Sequence, residues 1–61
     1  MRDTARGIAE AIIFNAEQYD NGLIAYELFD GIAKRAWANA RLAGDAVAKE
    51  TQKIVNDYCR N

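Results

Sequence analysis

The stretch GLIAYELFDGIAKRAWANARLAGDAVAKETQKIVNDYC, residues 22–59, sets Ala25, Phe29, Ile32, Ala36, Ala40, Ala43, Val47, Thr51, Ile54 and Tyr58 in steps of four, three and four. This eleven-residue repeat keeps one face of a nearly straight α-helix apolar, and its phase passes Gly44 without a slip. Thr51 is its one polar member, and no proline interrupts it. The stretch therefore reads as helix throughout, and what remains is whether it is one helix or two. Glycine costs about 1 kcal/mol against alanine inside a helix, and Gly44-Asp45 also has the form of a terminating glycine followed by an N-cap. The unbroken phase favours a bent, continuous helix, with a separate third helix as the alternative.

Working back toward the N-terminus, Asp20-Asn21-Gly22 is the strongest turn signal in the chain. Asparagine and glycine tolerate the left-handed conformations that end a helix, and Asn21 can cap the next one. Before the turn, Ala5, Ile8, Ala9, Ile12, Ala16 and Tyr19 share one helical face, with Arg6, Glu10 and Glu17 on the other side. Asp3 or Thr4 is the N-cap candidate. The expected fold is all-α in a single domain, with helices over about 3–20, 22–43 and 45–59, the last two continuous or separate.

Length then bears on assembly. Sixty-one residues form one domain that buries only about 60% of its unfolded surface, so a lone core is marginal. The single cysteine, Cys59, cannot form an internal bridge, and the chain has no histidine. A first helix of about 18 residues spans about 27 Å, whereas a continuous second helix of about 38 would span about 57 Å. Val47, Ile54, Val55 and Tyr58 would then overhang the hairpin and need a covering surface. Together with Phe29 they form the expected oligomer interface of a helical bundle; a break at Gly44 would instead let a third helix fold back into a monomer.

Several residues fall outside this stripe. Phe14 lies opposite the apolar face of the first helix, and Ile24, Leu28 and Leu42 gather on the far side of the second segment. An exposed phenylalanine with an aligned aliphatic set reads as a partner-binding surface, against a plain reading of scattered surface hydrophobics. Tyr26 and Trp37 sit at the edge of the stripe, where core packing is the plainer account and a ligand-stacking platform the alternative. With Lys34, Arg35 and Arg41 they are the pieces available for a nucleotide or a single strand. Gly31, on the polar side, is a tolerated weak point or a site of close approach by another chain.

Charge is divided unevenly. Residues 1–31 hold Arg2 and Arg6 against six carboxylates, and residues 32–61 hold six cations, Lys49 and Lys53 among them, against three carboxylates. Oppositely charged halves favour antiparallel packing within a chain or between two, ahead of nucleic-acid binding by the basic half. Asp30 and Lys34, Asp45 and Lys49, and Lys53 and Asp57 stand four apart and can pair internally.

The residue types for several chemistries are missing. There is no serine, no histidine to act as base, and only Cys59 as a thiol, so nucleophilic catalysis is not expected. Metal sites would need several Cys or His ligands, and the four isolated glycines form no phosphate loop, so no metal or cofactor is expected. The N-terminus has no signal-peptide pattern, and no run approaches the ~20 apolar residues of a membrane span; the expectation is a cytoplasmic protein without a membrane partner. A lone cysteine fits that compartment, although a Cys59–Cys59 bond between copies is conceivable in a symmetric dimer.

Three functional readings follow. The first is a non-enzymatic regulator, inhibitor or adaptor that self-associates through the Phe29–Tyr58 stripe and occupies a surface of a larger protein. The second is a nucleic-acid-binding dimer using Lys34, Arg35, Arg41, Lys49 and Lys53. The third is a binder of a nucleotide-like ligand between subunits near Tyr26 and Trp37.

Overall fold

A computed structural model describes residues 2–60, with side chains from residue 4 onward. The chain forms three helices, α1 (Arg2–Asp20), α2 (Tyr26–Ala43) and α3 (Asp45–Arg60). Helix α1 already contains Asp3 and Thr4, so neither of the two candidates is its N-cap.

Gly22 ends α1. At φ 73° it is left-handed, its N–H donates to the carbonyl of Tyr19 at 3.0 Å, and the Leu23 N–H donates to that of Gln18 at 2.9 Å. This pair of bonds is a Schellman motif, which satisfies carbonyls that the helix end would leave without partners. Closing that motif commits residues 22 and 23, and the chain must still cross the roughly 8–10 Å between packed helix axes. Helix α2 accordingly starts four residues later than the expected residue 22. Its N-cap is Ala25, in extended conformation and without a side-chain capping bond, so Asn21 does not cap it.

At Gly44 the structure departs from the continuous bent helix that the phase of the repeat favoured. Gly44 alone separates α2 from α3, at φ 128° and ψ 159°, a region in effect restricted to glycine. Its N–H donates to the Arg41 carbonyl at 3.1 Å, and its carbonyl accepts from Ala48 N–H at 3.0 Å. One residue thus closes one helix and opens the next, and Asp45 is the first residue inside α3. The chain turns there, so the 57 Å helix and its overhang do not exist, and the case for assembly built on them falls.

Each helix packs against the other two. Tyr19 near the end of α1 stacks on Phe29 near the start of α2, with centroids 5.6 Å apart and planes at 10°. Arg6 and Glu10 of α1 line a groove with Glu50 and Ile54 of α3, and Tyr58 near the end of α3 lies beside Glu17 near the end of α1, so α1 and α3 run in the same general direction. The result is a compact three-helix fold with a radius of gyration of 11.3 Å.

Its centre is built from small side chains. Ala5, Ala9 and Ala40 are fully buried, Ile12 and Val47 nearly so, and the largest fully buried side chain is that of Thr51. The Thr51 hydroxyl donates to the Val47 carbonyl one turn back at 2.8 Å, which satisfies the buried polar atom within its own helix. These are the residues that the two apolar stripes placed inward.

Replacing Gly44 with a residue bearing a Cβ tests the break. Gly44→Ala meets no atom within 4 Å, so its cost is conformational, about 1–3 kcal/mol. The expected result is a melting temperature lower by roughly 4–8 °C per kcal/mol, with some chains converting to the fused α2–α3 helix and appearing as dimers in light scattering. An unchanged melting temperature and mass would mean that the backbone at residue 44 does not hold the fold.

Candidate interaction surface

Helix α2 turns Phe29 and Ala40 toward the other helices. Three- and four-residue steps then carry Leu28, Gly31, Arg35, Ala38 and Leu42 along the opposite face, and all five are exposed. Leu28 is 54% and Leu42 85% exposed. They stand fourteen residues apart, about 21 Å along the axis. Between them lies an open depression of about 410 Å³, lined chiefly by Glu27, Leu28, Gly31, Ile32, Arg35 and Ala36. A Cβ added at Gly31 would meet nothing within 4 Å, so no contact inside the chain explains a glycine there.

Helix α1 carries a counterpart. Ala5, Ala9 and Ile12 face inward, and Phe14 projects from the reverse side, 59% exposed. Gly7, two turns earlier on that side, is likewise exposed with open space above it. Glu10 and Glu17, also exposed, stand four residues before and three after Phe14 on one flank. Ile24 is half-buried in the connection between α1 and α2 and is less available than Leu28 and Leu42. Its neighbour Leu23, 67% exposed, was not singled out from the sequence; its signal was its place directly after the helix-ending Gly22.

The Phe29–Tyr58 stripe lies mostly within the chain. Val47 is buried, Phe29 is half-covered by Tyr19, and Ile54 and Val55 are half-buried. Tyr58 alone keeps a large exposed area, 44%. Partial burial, and after it the negative charge of Glu17 and Asp20, raises the pKa of its phenol. Tyr58 therefore faces the acidic C-terminal end of α1.

The aromatic and basic residues considered for a ligand are divided. Tyr26 packs edge-on against Tyr19, centroids 5.7 Å apart at 64°, and Trp37 is half-buried. Lys34 is held by Asp30, Nζ to Oδ2 at 2.9 Å, and this hydrogen bond, followed by the charge of Asp30, raises its pKa. Arg35 lines the depression, and Arg41 projects from the opposite flank of the outward face. Among the described residues, no group of three or more His, Cys, Asp or Glu could hold a metal ion, and no helix is long and apolar enough to cross a membrane.

The environment of Tyr58 can be checked by titration. Its ring resonances in NMR should titrate above the ordinary phenol value of about 10, and Glu17→Gln should lower that value only in part, because burial is the larger cause. A folded-state pKa above the unfolded one favours the native state up to the unfolded value, and the advantage is lost as pH rises through the folded value. Tyr58→Phe should therefore remove part of the fall in stability on the alkaline side of the phenol range. An ordinary Tyr58 titration, unmoved by Glu17→Gln, would contradict this packing.

Compared with known proteins, the chain matches no family model, no curated protein and no solved structure.

Proposed function

We propose that this chain is a non-catalytic helical interaction module, self-associating and acting by occupying a surface of a larger protein, as a cytoplasmic regulator, inhibitor or adaptor would. One observation carries the reading: the buried core is three alanines, Ile12, Val47 and Thr51, while Phe14, Leu23, Leu28 and Leu42 are each more than half exposed. Burying such a side chain contributes about 1.5–3 kcal/mol, so a chain of this size leaves on its outside much of the apolar free energy it carries. Leucines in line on one helix face, with a depression between them, form the kind of anchor set that docks into a partner's groove.

Leu42 is the side chain to test, because it is the most exposed of the set and does not line the depression. A photo-reactive group at position 42, introduced in the cells that make the protein, should link it to a defined larger protein, which is then purified. Leu42→Asp should weaken binding to that protein more than tenfold while shifting unfolding by no more than about 0.5 kcal/mol. Labelling of position 42 no greater than that of a control position at Asn56, or undiminished affinity of Leu42→Asp, would overturn the reading.

A further inference from the structure

We propose that Asn21 is a site of spontaneous deamidation, exposed to reaction when the C-terminal turn of α1 frays, and that its β-linked product prevents that turn from closing again. This chemistry belongs to the α1–α2 connection and needs no partner surface.

The reaction needs an asparagine followed by a residue whose backbone nitrogen can reach the side-chain amide. The Gly22 nitrogen attacks Cγ of Asn21; the N–Cγ bond forms, the Cγ–Nδ2 bond breaks, and Nδ2 leaves as ammonia with the Gly22 amide proton. The resulting succinimide takes up water at one of its two carbonyls. Opening at Cγ gives aspartate. Opening at the main-chain carbonyl gives isoaspartate, whose backbone runs through Cβ and Cγ. Water is the only co-reactant.

Position selects Asn21 for this step. Of Asn15, Asn21, Asn39 and Asn56, only Asn21 precedes a glycine. Without a Cβ the following nitrogen approaches freely, and open space surrounds Gly22, where an added Cβ would meet nothing within 4 Å. Asn21 is exposed to water beyond the last residue of α1. The other three lie inside helices, where the next N–H belongs to the helical ladder. Two of them are held further: Asn15 Nδ2 donates to the Ala11 carbonyl at 2.8 Å, and Asn56 Oδ1 accepts from Gln52 at 3.0 Å.

In the folded chain the nucleophile is latched. Gly22 N–H donates to the Tyr19 carbonyl at 3.0 Å, Leu23 N–H to that of Gln18 at 2.9 Å, and Asn21 N–H to that of Glu17 at 3.0 Å. The Gly22 nitrogen must release its proton and turn toward Cγ, so the Schellman bonds open first, and helix ends open at low free energy. After reaction the latch cannot be restored. The succinimide nitrogen has no hydrogen to donate, and isoaspartate places an extra methylene in the backbone just before the Gly22 N–H. A new carboxylate also stands at the C-terminal end of α1, next to Asp20 and one turn from Glu17, where negative charge is unfavourable. Tyr19 meets Tyr26 and Phe29 across this connection, so a turn that no longer closes loosens α1 from α2.

The test uses the full chain, kept in mildly alkaline buffer below its melting temperature and sampled by mass spectrometry. The mass gain of amide-to-acid conversion should appear at residue 21 ahead of Asn15, Asn39 and Asn56, mostly as isoaspartate, which isoaspartyl methyltransferase labels. Unfolding in urea should speed it about tenfold, the factor expected for a hydrogen bond that must open first. Asn21→Gln should remove the early gain and melt with the parent chain. The isoaspartate form, separated by chromatography, should melt below both the parent chain and Asn21→Asp, which carries the same charge on an unaltered backbone. Conversion at residue 21 no faster than at the other three asparagines, a rate that urea leaves unchanged, or an isoaspartate form that melts with Asn21→Asp would each overturn the proposal.

Discussion

Residue 44 holds φ 128° and ψ 159°, and everything the fold buries between α1 and α3 depends on that one backbone conformation. A helix continued straight through this point would carry Val47 and Thr51 away from α1, which α3 now packs against. The turn brings α3 against α1, and both residues lose nearly all contact with water. Only glycine enters this region without a large penalty, so the reversal is specified by the absence of a Cβ. The two hydrogen bonds around Gly44 make it economical: a single residue ends one set of helical bonds and begins the next, leaving no loop to order.

The alanines of the core follow from the same compactness. Helices of 16 to 19 residues offer few turns for contact, and alanine on the facing sides lets their axes come close. Close approach gains dispersion contacts among backbone and Cβ atoms but leaves no room for large side chains. Leu28, Leu42 and Phe14 are not displaced core residues, since helical phase sets each on the face opposite the buried alanines. Packing thus links the fold to the interaction reading, since a bundle that fits together through alanine has its larger apolar groups left for other surfaces.

Much of this was legible in the sequence, and the parts that were not have a common cause. The eleven-residue repeat put Ala40, Val47 and Thr51 on one apolar face and the stripe of the first segment did the same for Ala5, Ala9 and Ile12; these six are buried, whereas Ala25 and Ala43 of the repeat are exposed and Val47 is covered from within the chain, not by the partner copy that a continuous helix would need. The outward positions of Phe14, Leu28 and Leu42 came from the same periodicity. Periodicity reports which side of a helix is apolar and is silent on what covers it. The identical stripe is satisfied by a long helix with a partner chain or by a folded-back α3, so the phase across Gly44 could not tell the two apart. The start of α2 was missed because an Asn-Gly pair can end a helix or begin one, and here the Schellman bonds use it for ending. The depression at Gly31 escaped for a different reason: it depends on the open space above one residue, which is a property of the packed molecule.

A distinction between two kinds of apolar surface follows. The Phe29–Tyr58 stripe can be covered from within, and Gly44 permits that by bringing α3 against α1. Phe14, Leu28 and Leu42 have no such option, because each lies on the side of its helix facing away from the other two, and no movement at Gly44 or in the residue 21–25 connection turns them inward without exposing the alanine faces. Exposing those faces would break the close contacts on which the bundle rests. Any cover for the outer set would therefore have to come from another molecule, and the helix faces that hold the bundle together are the same ones that keep this set outside.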